Sequence, residues 1–179
     1  MNILVSFLPW IIFWVLSGKG QLKIAAAASI VAVVILAIKD FKKHSVKILD
    51  IGTFIFFVAA LIFSFTSTSQ FIDNFASPLS NAFLFIIALT SIIIKKPFTI
   101  QYAREQVDSE FWDSPIFYSI NLAISWVWCG AFAVIAITSY IALNHPYLID
   151  RIIHILAFVF AIRFSSWYPE YVKKSRAGE

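Results

Sequence analysis

Six apolar stretches run through this chain, and its basic residues are gathered into every second break between them. No motif in the sequence constrains the fold as strongly. Stretches of this length read as spanning helices, and Lys and Arg collect on the cytoplasmic side of a membrane. The stretches cover about 3–16, 22–38, 48–65, 78–94, 115–143 and 148–167. Of the 14 Lys and Arg, ten share one side. They are Lys39, Lys42, Lys43 and Lys47, then Lys95, Lys96 and Arg104, then Lys173, Lys174 and Arg176. The other side holds Lys19, Lys23 and Arg151, and the break from Thr66 to Ser77 has none. The expectation is an all-α membrane protein, one domain over 1–179. It is a bundle of six transmembrane helices with the N and C termini cytoplasmic.

Composition agrees with a lipid setting. Residues are 60% hydrophobic and only 13% charged, against about 25% charged in a soluble domain. The formal net charge of +4 is not a nucleic-acid signal, because the basic residues sit beside apolar spans, where they fix topology and meet headgroups. The lipid bilayer is the first partner expected, and nucleic acid is excluded. A single cysteine, Cys129, excludes an intramolecular disulfide and any cysteine-based metal site, and reads as a small buried hydrophobe. No metal or cofactor is expected. The first stretch is expected to stay as a span rather than serve as a cleaved leader, since no Lys or Arg precedes it.

Punctuation marks the helix ends. Ser77-Pro78 and Ser114-Pro115 each place a hydroxyl before a proline, the pattern of an N-cap followed by a first helical residue. Lys95, Lys96 and Pro97 should stop the fourth span, Pro169 the sixth, and Asn144, His145 and Pro146 should turn the chain between the fifth and sixth.

Polar residues within apolar spans are costly and therefore point to sites. Arg163 lies about one turn from the cytoplasmic end of the sixth span. It either snorkels to the headgroups or faces inward and pairs with Glu170 or Glu105, with Trp167 at i+4 available for a cation–π contact. His154 follows Asp150 at i+4, the spacing of a hydrogen-bonded pair. In the fifth span Asn121, Ser125 and Trp128 form a polar stripe that either lines a cavity or joins helices. Ala25 with Ser29, and Ala28 with Ala32, allow close helix approach.

The break from Lys95 to Pro115 is the most polar segment. Ile100, Ala103, Val107 and Phe111 recur at helical spacing, which predicts a cytoplasmic interfacial amphipathic helix over about 99–111. Arg104 is outnumbered there by Glu105, Asp108, Glu110 and Asp113, so anionic headgroups would repel the segment. Protein contacts should hold it instead, through Lys42, Lys43 or the basic tail, with Trp112 as an interfacial anchor. Its acids also suit a docking surface. Gln101, Tyr102, Arg104 and Glu105 are the candidate polar, lipid-binding or partner-binding residues of this segment.

The run KKPFTIQYARE followed by FWDSPIFYSIN resembles a group of small bacterial integral membrane proteins without an assigned function. More loosely, the layout is similar to the intracellular septation protein A family of inner-membrane proteins. That likeness lies in FLP at Phe7 to Pro9, KKP at Lys95 to Pro97, a glutamine soon after, and Asn121 with Trp126. It implies a role in envelope assembly and brings no catalytic residue with it.

No Gly-rich phosphate loop, HExxH, GxSxG or CxxC occurs, and the breaks are too short for a soluble catalytic domain. Three functions stay open. First is a non-enzymatic envelope-assembly or scaffold factor touching other envelope membrane proteins. Second is a small transporter or channel, in either case with a homo-oligomer allowed. Third is a membrane-embedded enzyme on a lipid-linked substrate, using Arg163, Tyr102, Arg104 and Glu105.

Overall fold

A computed structural model describes residues 3–17, 21–41, 47–66, 69–143 and 148–177. Lys19, Lys42, Lys43 and the expected turn at Asn144, His145 and Pro146 lie outside them. The described residues are helical, with no strand among them. In chain order the helices are α1 (Ile3–Ser6), α2 (Leu8–Leu16), α3 (Leu22–Phe41), α4 (Ile48–Thr66), α5 (Ser69–Ile93), α6 (Thr99–Ala103), α7 (Pro115–Ile141) and α8 (Leu148–Ala177). A single 3₁₀ turn at Ser109–Phe111 lies between α6 and α7.

Four helices are long and apolar enough to cross a membrane, over Leu22–Lys39, Ile48–Phe65, Phe75–Ile93 and Pro115–Ile141. Only 28% of the Ile48–Phe65 span is buried within the bundle, so most of its surface needs an apolar solvent. Ile51, Ile55 and Phe63 stand on that outer face. The other two expected spans correspond to the short apolar pair α1–α2 and to α8, which carries Asp150, Arg151 and Arg163 among its apolar residues.

The expected first span is a short apolar helical stretch over Ile3–Leu16 with one irregularity at Phe7, whose backbone stays in the right-handed helical region. Pro9 sits in the first turn of α2, where its missing N–H is harmless, but its ring opposes a helical turn before it. The irregularity therefore falls at Phe7, whose amide donates to the Leu4 carbonyl at 3.2 Å. The short α2 ties several helices together through one buried face, while Leu8, Ile11 and Val15 leave its other face exposed. Its Trp10 donates from Nε1 to Oγ1 of Thr53 on α4 at 2.9 Å, and its Trp14 donates to Oγ of Ser80 on α5 at 2.9 Å. Ser29 on α3 donates to the Pro9 carbonyl at 2.9 Å, at a point where Ala25 and Ser29 are fully buried. Small residues let α3 approach closely enough for that bond.

Aromatic rings fill the space around α2. Phe7 stacks on Trp128 of α7 with centroids 4.9 Å apart, and Phe158 of α8 meets Phe7, Trp14 and Trp128 edge-on. On the opposite side Trp10 lies 4.9 Å from Phe57 and 5.0 Å from Phe56 of α4. In lipid the hydrophobic effect does not drive helices together. The bundle coheres through such close packing and through hydrogen bonds worth about 0.6–1.7 kcal/mol each. At Gly52 of α4 a Cβ would stand 2.5 Å from Cδ1 of Ile87, which places α4 and α5 in intimate contact.

Two prolines expected at helix ends are inside helices instead. Pro78 lies within α5, which begins at Ser69, so Ser77 is not its N-cap and most of the supposed break from Thr66 to Ser77 is helical. Pro169 lies within α8, which continues to Ala177. Lipid explains the tolerance at Pro78. A proline removes one hydrogen bond, whereas unwinding the segment would strand many backbone groups in an apolar medium. Two side chains beyond the proline bond back onto the preceding turn, with the Ser77 carbonyl accepting from Ser80 Oγ at 2.8 Å and Asn81 Nδ2 at 2.9 Å.

Other ends follow the sequence. Ser114 caps α7, its Oγ accepting from the Ile116 amide at 3.2 Å. The α5 terminus closes with Lys96 N on the Ser91 carbonyl and Lys95 N on the Ile92 carbonyl, both 2.9 Å. That is the Schellman pattern, and it puts Lys95 in the left-handed region at φ 57°, where glycine is usual.

Candidate functional site

The segment after α5 is a short strap across one end of the bundle, not the interfacial helix expected over 99–111. Helix stops at Ala103, turns follow, and a 3₁₀ turn covers Ser109–Phe111. The four residues of the expected apolar face do not form one, since Val107 and Phe111 are exposed. Thr99 and Tyr102 are the buried residues of α6.

Three helices hold the strap. The Phe98 amide donates to Ser91 Oγ on α5 at 3.1 Å. Thr99 Oγ1 donates to the Asn121 carbonyl on α7 at 2.8 Å and lies 2.9 Å from Ser125 Oγ. Gln101 Oε1 accepts from the Ile48 amide at 2.8 Å, so a side chain of α6 caps the first turn of α4. Beside that cap, Lys47 has no exposed side-chain surface, and its Nζ lies 2.9 Å from Oε1 of Glu105. The same ammonium stands 5.1 Å from the centroid of the Tyr102 ring. Asp50, also buried, sits in the first turn of α4, where a carboxylate complements the helix dipole. Gln101, Tyr102 and Glu105 are thus brought together around a buried lysine.

Sequence reasoning counted Lys47 only as a topology charge. One signal was present. Lys47 directly precedes an apolar run and has an acid three positions on, so it lies where a span edge meets polar residues.

A cleft of about 630 Å³ opens against the strap. Lys95, Lys96 and Arg104 line it together with Trp112, Asp113 and Tyr118. Arg104 lies over the Trp112 ring, 5.0 Å from its centroid, and Trp112 Nε1 donates to the Val107 carbonyl at 3.0 Å. On the other flank is a mostly apolar cavity of about 470 Å³, touched by Tyr102, Asn121, Ser165 and Lys173.

The stripe on α7 joins helices. Asn121 is buried, donating from Nδ2 to the Phe117 carbonyl at 2.8 Å, and Trp128 donates to Ser165 Oγ of α8 at 3.0 Å. Asn121 also borders the 470 Å³ cavity, and its side-chain bond stays within α7.

Arg163 does not face the bundle. It is exposed on α8, makes no ion pair with a described residue and lines neither cavity at the strap. Glu105 is engaged by Lys47 instead. Glu170 is exposed, and Trp167 stacks on Tyr171 at 5.0 Å rather than on the guanidinium. Side-chain reach explains the placement, because an arginine near the end of the expected apolar span gains more from headgroups and water than from a dry interior.

At the opposite end of the bundle, His154 Nε2 lies 3.0 Å from Asp150 Oδ1 and 3.0 Å from Ser139 Oγ. Ser139 in turn lies 3.4 Å from Ser77 Oγ. These residue types evoke a nucleophilic triad, but the arrangement is not one. Both partners meet the same ring nitrogen, which cannot take the serine proton while donating to the carboxylate. A cavity of about 380 Å³ adjoins the group, bordered by Ser77, Asn81 and His154. Asn81 is 2% exposed and its Oδ1 has no hydrogen-bond partner.

No group of three or more His, Cys, Asp or Glu able to hold a metal occurs among the described residues. Compared with known proteins, no family model, no curated protein and no solved structure matches the chain.

Proposed function

We propose that this chain is a multi-pass protein of a bacterial inner membrane that acts without catalysis, as a scaffold for other proteins of the cell envelope. Six spans cross the membrane in this reading, with α1–α2 and α8 joining the four long helices. Both termini and the strap lie on the cytoplasmic side. The excess of Lys and Arg at that end supports the orientation. The envelope role follows the resemblance to the septation protein family carried by Phe7 to Pro9 and Lys95 to Pro97.

The observation that carries the non-catalytic reading is the filled centre. Trp10, Phe13, Phe57, Trp128 and Phe132 are each no more than 1% exposed, or fully buried, around α2. The polar residues at the two ends are separated by that aromatic layer. The strap offers a face for partners, because Asp108, Glu110 and Asp113 are exposed without ion pairs among the described residues, next to the exposed Val107 and Phe111.

A small-solute transporter is the alternative. The 380 Å³ cavity bordered by Ser77, Asn81 and His154 favours it, since a few polar groups on an apolar wall suit a small guest. Purified protein in liposomes separates the two. The scaffold reading expects solute flux equal to that of empty vesicles, together with discrete protein adducts in cells from a photo-crosslinker at Glu110 and none from one at Arg151. Saturable flux of a solute would establish the transporter. Cysteines introduced at Ser69 and Ser175 test orientation. Labelling of Ser175 from outside intact cells, with Ser69 protected, would reverse it.

A further inference from the structure

We infer that the cleft formed by Lys95, Lys96 and Arg104 binds the phosphate of one anionic phospholipid. The inference goes beyond the scaffold reading and depends only on the chain lying in a membrane. Three cations line the cleft against a single carboxylate, Asp113. None of the three makes an ion pair with a described residue, so their mutual repulsion is left for an anion to relieve.

The backbone that carries the cations is also held in place. The closing bonds of α5 fix the left-handed turn that presents Lys95 and Lys96, and the buried Pro97 follows directly. Arg104 is held over the Trp112 ring, and Trp112 is tethered to the Val107 carbonyl. The Arg104 guanidinium is therefore stacked before a ligand binds, and the exposed Lys95 and Lys96 side chains start from a fixed backbone. A guanidinium beside two ammonium groups suits a phosphate, which takes a planar fork and point charges together.

The apolar surface chooses the source of the phosphate. Ile93 and Ile94, immediately before Lys95, are 69% and 50% exposed. The cleft thus begins where the lipid-facing surface of α5 ends. A tethered phosphate with acyl chains matches both features, whereas a free phosphate needs only the cations.

The test uses the whole protein in neutral detergent, titrated with phosphatidylglycerol, phosphatidylcholine or inorganic phosphate. Bound lipid is counted by native mass spectrometry, and the unfolding midpoint is followed in parallel. The parent should retain one phosphatidylglycerol in preference to phosphatidylcholine. The variant Lys95→Gln/Lys96→Gln/Arg104→Gln should bind it about tenfold more weakly, as expected for lost charge-assisted bonds. The tail variant Lys173→Gln/Lys174→Gln/Arg176→Gln removes equal charge and should bind like the parent. Lys96→Gln alone, which leaves the helix closure and the Trp112 contact intact, should give an intermediate loss and guards against misfolding of the triple variant. Equal weakening in the cleft and tail variants would mean diffuse surface attraction and would overturn the site. Protection by inorganic phosphate equal to that by phosphatidylglycerol would overturn the lipid as its occupant.

Discussion

The ammonium of Lys47, with no exposed surface, lies 2.9 Å from the carboxylate of Glu105, whose side chain keeps 17% of its own. The pair joins the first turn of α4 to the residues just past α6, and the Gln101 cap on Ile48 runs beside it. Desolvating two charges is costly, so the pair is more informative about what its rupture does than about net stability. Glu105→Gln leaves a buried ammonium facing a neutral amide. It should destabilise the protein by about 3 kcal/mol, the scale for one lost partner of a buried pair. Lys47→Met should cost less, because its thioether chain fills similar space and Glu105 can hydrate. The double variant should be more stable than Glu105→Gln alone. Denaturation in mixed micelles measures all three, and a neutral Glu105→Gln would show that the contact does not hold the strap.

Thr53 gives α2 one of its polar attachments. Thr53→Val keeps the shape but leaves the buried Nε1–H of Trp10 without its acceptor. The expected loss is about 1–2 kcal/mol. Thr53→Ser keeps the hydroxyl, removes only a methyl group and should fall closer to the parent. If valine is as stable as threonine in the same micelles, packing alone holds α2 to α4.

Gly52 marks the closest approach of α4 to α5. Gly52→Ala puts a methyl group against Ile87, with Cδ1 at 2.5 Å and Cγ1 at 2.8 Å before any shift. Ile87 is itself buried, at 7% exposed, which limits its retreat, so the cost should be about 1–3 kcal/mol, the range for overpacking. Ile87→Val removes the nearest atom and should recover part of the loss in the double variant. Additive effects of the two substitutions would mean that the methyl group and Ile87 do not meet.

Some of this architecture was legible in the residues, and the failures have common physical causes. Apolar length and the Ser114-Pro115 cap carry local information, and α4 and α7 follow the sequence closely. Pro78 and Pro169 were read by rules learned in water, where a broken turn can hydrate. In lipid the broken turn has nowhere to go, so the helix continues through Pro78. The strap failed for a different reason. Helical spacing of Ile100, Ala103, Val107 and Phe111 is real, but Glu105 and Gln101 gain more by reaching α4 than the segment gains by completing a helix. Such long-range pairings leave no periodicity to read. Asn121 and Trp128 were visible as polar residues in an apolar span. The Asn121 amide finds its partner on its own helix, at the Phe117 carbonyl, whereas the partner of Trp128, Ser165, depends on which helices are neighbours.

Arg163 tests whether position along a span predicts direction. Its depth invites an inward-facing role, but the fold turns it outward, with Trp167 occupied by Tyr171 and Glu105 by Lys47. An outward arginine near the end of the expected apolar span needs only to reach headgroups or water, and a lysine does that equally well. Arg163→Lys should therefore match the parent within about 0.5 kcal/mol, the usual scatter for surface substitutions. Arg163→Leu should also leave the packed interior intact. It should shift the depth of α8 in the bilayer, which a spin label at Ser166 reports as altered access to a lipid-soluble quencher. A fixed planar contact with a carboxylate would behave differently, since lysine lacks the bidentate fork. If Arg163→Lys unfolds well before the parent in the same lipid, the arginine is bound to a partner and its outward placement fails.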